Sequence, residues 1–253
     1  MVTVSQVIIS FIIVTSIATN ATFLTTDYLG NSYYITEANS LEKIDSAGTL
    51  LFTYNQNLYG KLQFVDASNP LKIILSYPDY GTLVIVDNTL SEIGTISLRQ
   101  NNILSYSAVC FSPVDNNIWI FDEQDFKLKK FDRNNNTLIE SSDMFSLIGK
   151  AIHPLYMQEH NQYLYLSDSS EGIIIFDIYG TYYQTLPFKG ISKFQVRNDQ
   201  LFYRHENTLR SYHLTTLEEK EIPLPDSTEV IDARIEKNRL YLLTKNDLKI
   251  YKY

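Results

Sequence analysis

The sequence predicts an all-β chain folded as a six-bladed β-propeller, and three observations carry that prediction. The first is composition. Nineteen Tyr and 13 Phe beside a single Trp, in a chain rich in Ile, Val, Leu and Thr, describe pleated sheet, where β-branched and aromatic side chains pack well. The second is a unit that recurs six times, each copy a short strand, a tight turn and a second strand ending in an apolar residue followed by a polar one. The final residues of the copies are Asp45, Asp87, Asp132, Asp177, His213 and Lys252, spaced by 42, 45, 45, 36 and 39 residues, which is the length of a propeller blade. The third is the turn that follows several of these anchors: Asp45–Thr49 (DSAGT) and Asp177–Thr181 (DIYGT), with Asp132–Asn136 (DRNNN) as a glycine-free variant. A short hairpin loop places one residue at positive φ, where a Cβ is costly, so Gly or Asn belongs there.

The elements follow in chain order. The middle strands of the six blades are Asn31–Ile35 with Leu41–Asp45, Lys72–Leu75 with Leu83–Asp87, and Asn117–Phe121 with Leu128–Asp132, then Tyr163–Leu166 with Ile173–Asp177, Gln200–Tyr203 with Leu209–His213, and Arg239–Leu243 with Leu248–Lys252. Outer strands are read at Leu50–Tyr54, Tyr182–Phe188 and Leu217–Leu224. Inner strands are read at Thr22–Asp27, Leu62–Ala67, Ser107–Ser112, Leu155–His160, Ser192–Arg197 and Asp232–Lys237. The last copy ends beside Tyr253 with no outer strand of its own. The apolar segment Val7–Ile17 precedes the first inner strand and is placed to lend the missing one, which would remove an exposed sheet edge. A second reading of the same segment is the apolar region of an export signal with small residues at Ala18–Ala21, although no Lys or Arg precedes it. The uncharged core Val7–Ala18 is too short for a transmembrane helix. A single domain over 1–253 is expected, monomeric by itself.

Charge and motifs narrow the function classes. The net charge is −8, and residues 1–126 carry 4 basic against 12 acidic side chains, so the field disfavours nucleic acid. No nucleophile elbow, phosphate loop, zinc helix, Cys pair or EF-hand loop occurs. The sequence therefore assigns no catalytic residue, no metal ligand and no cofactor. Cys110 reads as a small buried hydrophobe, and His153, His160, His205 and His213 share no ligand spacing, with His213 standing at an anchor position as a turn residue. The alternative is a propeller hydrolase of the calcium-dependent lactonase type, whose ion would sit on carboxylates of the inner strands: Asp27, Asp66, Glu159 and Asp232. Asp122, Glu123 and Asp125 read as a solvated turn. Between the third and fourth blades, Ser141–Lys150 has a capping residue, apolar positions and a stopping Gly149, the pattern of one short helical turn. Its Met144, Phe145, Leu147 and Ile148 are the candidate partner-binding residues, with a cap over the blade end as the plainer reading.

Four segments carry a resemblance: Asp66–Leu75 (DASNPLKIIL), Thr89–Gly94 (TLSEIG), Phe176–Tyr182 (FDIYGTY) and Thr216–Pro225 (TLEEKEIPLP). They resemble small exported β-propellers of Bacteroidetes, a group similar in turn to NHL-type propellers. The resemblance implies a periplasmic or outer-membrane-associated protein that makes protein–protein contacts in the cell envelope. Blocking or capping a protein secretion channel of the type 9 system is among the roles it implies, with an outer-membrane translocon as partner. Ser46 and Ser227 resemble the O-glycosylated positions of such exported proteins, and Asn20 and Asn135 stand in eukaryotic N-glycosylation sequons.

Overall fold

A computed structural model describes residues 5–6, 9–132, 134 and 136–253. Six antiparallel sheets stand around a central axis. Blade 1 comprises Phe23–Thr26, Ser32–Ile35, Ser40–Ile44 and Leu50–Asn55, from the axis outward. Blade 2 is Phe64–Asp66, Ile73–Tyr77, Thr82–Val86 and Glu92–Ser97. Blade 3 is Tyr106–Phe111, Ile118–Asp122, Lys127–Phe131 and Thr137–Glu140. Blade 4 is Tyr156–His160, Tyr163–Asp168, Gly172–Asp177 and Tyr182–Leu186. Blade 5 is Phe194–Arg197, Gln200–His205, Thr208–His213 and Glu219–Pro223. Blade 6 is Val230–Glu236, Arg239–Thr244 and Asp247–Lys252, and its outer strand is the N-terminal Ile12–Ala18.

The ring therefore closes as the sequence expects. Ile12–Ala18 runs antiparallel to Asp247–Lys252, from Ile12 opposite Lys252 to Ala18 opposite Asp247, with a bulge that leaves Val14 unpaired. Val7 and Ile8 of the expected strand lie outside the described residues. Ser5–Gln6 adds a short parallel pairing to the outer strand of blade 5, at Lys220 and Glu221, which the repeat does not predict.

Each blade packs against a neighbour on both faces, and in blades 1, 2 and 3 the second strand is buried along its whole length rather than on alternate residues. In blade 1, Tyr33 and Ile35 pack towards blade 2, while Leu24, Tyr34 and Ile44 pack against Tyr241, Leu243 and Ile250 of blade 6. Ile17 joins that last cluster. Closure thus rests on core packing as well as on ladder bonds.

The anchor aspartates cap the outer hairpins. Asp45 Oδ1 accepts from the Ala47 and Thr49 amides at 2.8 Å, and Gly48 sits at φ 89°. Asp87, Asp132 and Asp177 repeat that pattern. His213 imitates it, its Nδ1 accepting from Thr215 and Thr216. Asp122 departs from the solvated turn expected of it: it is buried and pairs with Lys129 Nζ at 2.7 Å.

The helical turn forms over Met144–Ile148, with Asp143 accepting from Ser146 N at 2.9 Å and Gly149 left-handed at φ 78°. Its expected role as an exposed patch is corrected by burial. Met144 is fully enclosed with Phe121, Ile152 and Leu164 in the core between blades 3 and 4, and Leu147 and Ile148 pack partly against that core. Only Phe145 stands out in solvent. The long connection from Glu140 to Tyr156 has to cover the end of the blade 3–4 core, and the Met144, Leu147 and Ile148 face does so. Met144→Ala should therefore destabilise the fold by about 2–5 kcal/mol, while Phe145→Ser stays within about 0.5 kcal/mol. Urea unfolding of both variants measures the difference.

Buried tyrosines add a pH signature. Tyr33 donates to Asp27 at 2.8 Å, Tyr54 to Glu92 at 2.6 Å and Tyr241 to the Gly30 carbonyl at 2.6 Å, while Tyr34 and Tyr203 donate to Glu42 and Glu219. Burial, and then the neighbouring carboxylates, raise the pKa of these phenols, and burial pushes Tyr106 and Tyr165 up to about 12. A phenol whose folded pKa exceeds its unfolded value of about 10 contributes its stability in full below pH 10 and loses it as pH climbs through the folded value. Stability should fall steeply above pH 10. Absorbance of tyrosinate against pH, followed together with far-ultraviolet circular dichroism, should show these tyrosines ionising only as the sheets are lost.

Candidate functional site

The six inner strands run in the same sense along the axis, and the loops that leave their ends surround one mouth. In blades 1 to 3 these loops are long, spanning 27–31, 67–72 and 112–117. In blades 4 to 6 they shrink to Asn161–Gln162, Asn198–Asp199 and Lys237–Asn238. Asn161, Gln162, Lys237 and Asn238 are all at positive φ, the geometry of a two-residue hairpin turn. The long loops expose Tyr28, Leu29, Leu71 and Val114, each at least half accessible. The mouth therefore carries exposed apolar tips on the side of blades 1 to 3 and tight polar turns on the other.

Between these loops opens a funnel of about 440 Å³ to which all six blades contribute, among them Tyr28, Ser68, Pro113, His160, Arg197 and Lys237. His160 Nε2 is 2.9 Å from the Asn198 carbonyl, and burial lowers its pKa. Aromatic rings from blades 1, 2, 4 and 5 meet across the inner end of the funnel. Tyr156 at its floor meets Phe64 at 5.5 Å and Phe194 at 5.0 Å, and Phe64 meets Phe23 at 5.5 Å, all edge to face. The Arg234 guanidinium lies 5.4 Å from the Tyr156 ring centre. Beyond the floor, Lys193 Nζ sits 3.6 Å from the Phe23 ring centre and 2.6 Å from Asp232. Burial pulls the Lys193 pKa down to about 7. Asp232 moves the other way from what burial alone would give, because Arg234 and Lys193 hold its carboxyl below the usual range.

The four carboxylates suggested for a calcium ion do not converge. Asp27 caps its own loop, accepting from the Leu29 and Asn31 amides at 2.9 Å, and does not line the funnel. Asp66 ties blade 2 to blade 3 by accepting from the Phe111 amide at 2.7 Å, and burial raises its pKa. Glu159 ties blade 4 to blade 3, accepting from Ser112 Oγ at 2.9 Å and Trp119 Nε1 at 2.7 Å. Asp232 belongs to the ion cluster below the floor. Among the described residues no three His, Cys, Asp or Glu side chains gather closely enough to hold a metal ion.

Sequence reasoning missed the residues that organise the funnel wall. Gln158, Gln195 and Arg234 hold the same register position, three residues before the inner turn of blades 4, 5 and 6. Gln158 exchanges two hydrogen bonds with the Val196 backbone at 2.8 and 2.9 Å, and Gln195 does the same with Ile235 at 3.0 and 3.1 Å. The signal was a long polar side chain recurring at one place on three successive inner strands. Of the suggested modification positions, Ser46 lies on the Asp45–Thr49 turn, Ser227 and Asn20 are exposed, and Asn135 lies outside the described residues.

No protein-family model matches the chain, and no curated protein matches it. Solved structures do. The WD40 domain of Pan2 from Neurospora crassa is similar over 96% of this chain and 95% of its own, at 10% identity and a TM-score of 0.70. A streptogramin B lyase is similar over 93% and 94%, at 13% identity and a TM-score of 0.68. A catalytically inactive virginiamycin B lyase from Staphylococcus aureus, solved with quinupristin, is similar over 96% and 100%, at 11% identity and a TM-score of 0.67. What they share is the propeller. A WD40 domain and lyases on one fold show that the architecture alone assigns no activity.

Proposed function

We propose that this propeller is a non-catalytic binding module whose partner is a protein, received at the funnel mouth. The observation that carries the reading is the asymmetry of the six inner loops: three long ones expose apolar tips beside a ready-made cavity, and three tight ones give it a polar wall. Apolar side chains grouped around a concavity are characteristic of recognition surfaces. The inner-strand carboxylates that a propeller hydrolase would need are engaged in holding blades and loops together. The likeness of four segments to small exported propellers supports a setting in the bacterial cell envelope, where capping a protein secretion channel is one form such contact takes.

The fourfold variant Tyr28→Ser, Leu29→Ser, Leu71→Ser, Val114→Ser tests the reading. Its melting temperature should lie within a few degrees of the parent, because surface substitutions cost little, and the protein that copurifies with the parent from its native host should be lost. Retention of that partner would contradict the reading. Chelation should change neither binding nor melting, whereas a drop restored by calcium would favour the hydrolase alternative.

A further inference from the structure

We propose that the floor of the funnel binds a single carboxylate, with Arg234 Nη2 as its donor. The proposal rests on the reading of the mouth as a protein-binding site and names what the inserted segment must bring.

The argument begins with the register position shared by Gln158, Gln195 and Arg234. A glutamine has both a donor and an acceptor, so it can pair reciprocally with a neighbouring backbone N–H and C=O, as both glutamines do. An arginine has no acceptor and cannot form that pair. Arg234 instead turns back towards blade 5, where Nη1 donates to the Phe194 carbonyl at 2.6 Å. Its Nε stands 3.5 Å from Asp232 Oδ2, an ion pair without a hydrogen bond, and Nη2 makes no hydrogen bond, with the Asp232 carboxylate and the Tyr156 phenol as the guanidinium's electrostatic neighbours. The residue is only 3% exposed, and it lines the funnel. Among the described residues, no other side chain lining the funnel has a buried polar atom without a hydrogen bond. A buried donor left open is unfavourable, more so when charged, and an acceptor arriving through the funnel would satisfy it.

The surroundings choose the ligand. The Tyr156 ring centre lies 5.4 Å from the guanidinium carbon, a cation–π distance, and a guanidinium's fork of N–H donors matches a planar carboxylate. The wall also carries Asp66, Glu159 and Glu236, each with donors of its own: the Phe111 and Ser68 amides, Ser112 and Trp119, and Arg197 at 3.3 Å. None of them takes Nη2, but together they repel a multiply charged anion, so a monoanion fits where phosphate does not. Two sources present such a group: the α-carboxylate at a chain end, and an Asp or Glu side chain.

The test follows the Nε–Hε cross-peak of Arg234 in the wild-type protein, assigned by correlation from its backbone amide. The protein is titrated separately with acetate, N-acetyl-L-alanine, N-acetyl-L-glutamic acid α-amide and inorganic phosphate. Acetate should give a saturable shift at least tenfold tighter than phosphate, and the tighter of the two acetylated probes identifies the source. Arg234→Lys, checked for fold by circular dichroism, should weaken acetate at least tenfold. If that variant does not fold, the wild-type cross-peak decides alone. No saturable shift with any carboxylate, or phosphate binding as tightly as acetate, overturns the proposal. Because the probes need no partner, a failure here beside a positive result for the fourfold variant removes the carboxylate and leaves the mouth as the binding site.

Discussion

Deleting residues 1–20 should destabilise the propeller by about 5 kcal/mol or more. The deletion strips the outer strand from blade 6, with the ladder from Ile12–Lys252 to Ala18–Asp247, at roughly 1 kcal/mol for each net hydrogen bond. It also withdraws Ile17 from the blade 6–blade 1 core and leaves Asp247–Lys252 as a bare edge. Typical domains have only about 5–15 kcal/mol in total, so the shortened chain should be largely unfolded or aggregated at 37 °C. Deleting residues 1–8 is the control. Among the described residues that change removes the two-residue pairing of Ser5 and Gln6 with blade 5, and it should cost about 1 kcal/mol. Equal melting temperatures for the parent and the longer deletion would show that closure does not depend on this strand.

Glu159→Ala is the second large effect. Glu159 is buried, and its carboxylate serves Ser112 Oγ and Trp119 Nε1 while Lys130 Nζ lies 3.7 Å away. Truncation would leave the buried indole N–H without its acceptor and Lys130 with Asp115 alone. Breaking one side of such a buried network costs about 3–5 kcal/mol. Glu159→Gln keeps one acceptor oxygen in place and should lose roughly half as much. Urea midpoints for the two variants give the comparison, and a loss below about 1 kcal/mol for Glu159→Ala would mean that the tie between blades 3 and 4 is carried elsewhere.

The repeat made the fold legible because each blade is a local unit: the anchors Asp45, Asp87, Asp132 and Asp177 cap hairpins within a few residues of themselves. Closure by the N-terminal strand could be read from the same repeat, since the sixth copy lacked a partner. The site was much less legible. Which carboxylates lie on inner strands could be counted, yet whether Asp66 reaches Phe111 or Glu159 reaches Trp119 depends on the neighbouring blade, some 40 residues away. The helical turn shows a different limit. Met144, Leu147 and Ile148 lie on one face by their spacing and Phe145 on another, so the pattern held the division between buried and exposed residues, but an apolar count over the segment hid it. Arg234 was invisible for a third reason: its isolation appears only against the paired Gln158 and Gln195 at the same register.

The claim that the funnel mouth receives a protein partner is tested most directly by site-specific photo-cross-linking in the native host. A benzophenone amino acid is placed at Tyr28 or Leu71 on the mouth, and at Leu58 or Leu104 on loops at the opposite ends of the inner strands, all of them exposed. The account predicts a discrete cross-linked protein from Tyr28 and Leu71, absent from Leu58 and Leu104. Cross-links confined to Leu58 and Leu104 would contradict it and move the binding face to the other end of the propeller.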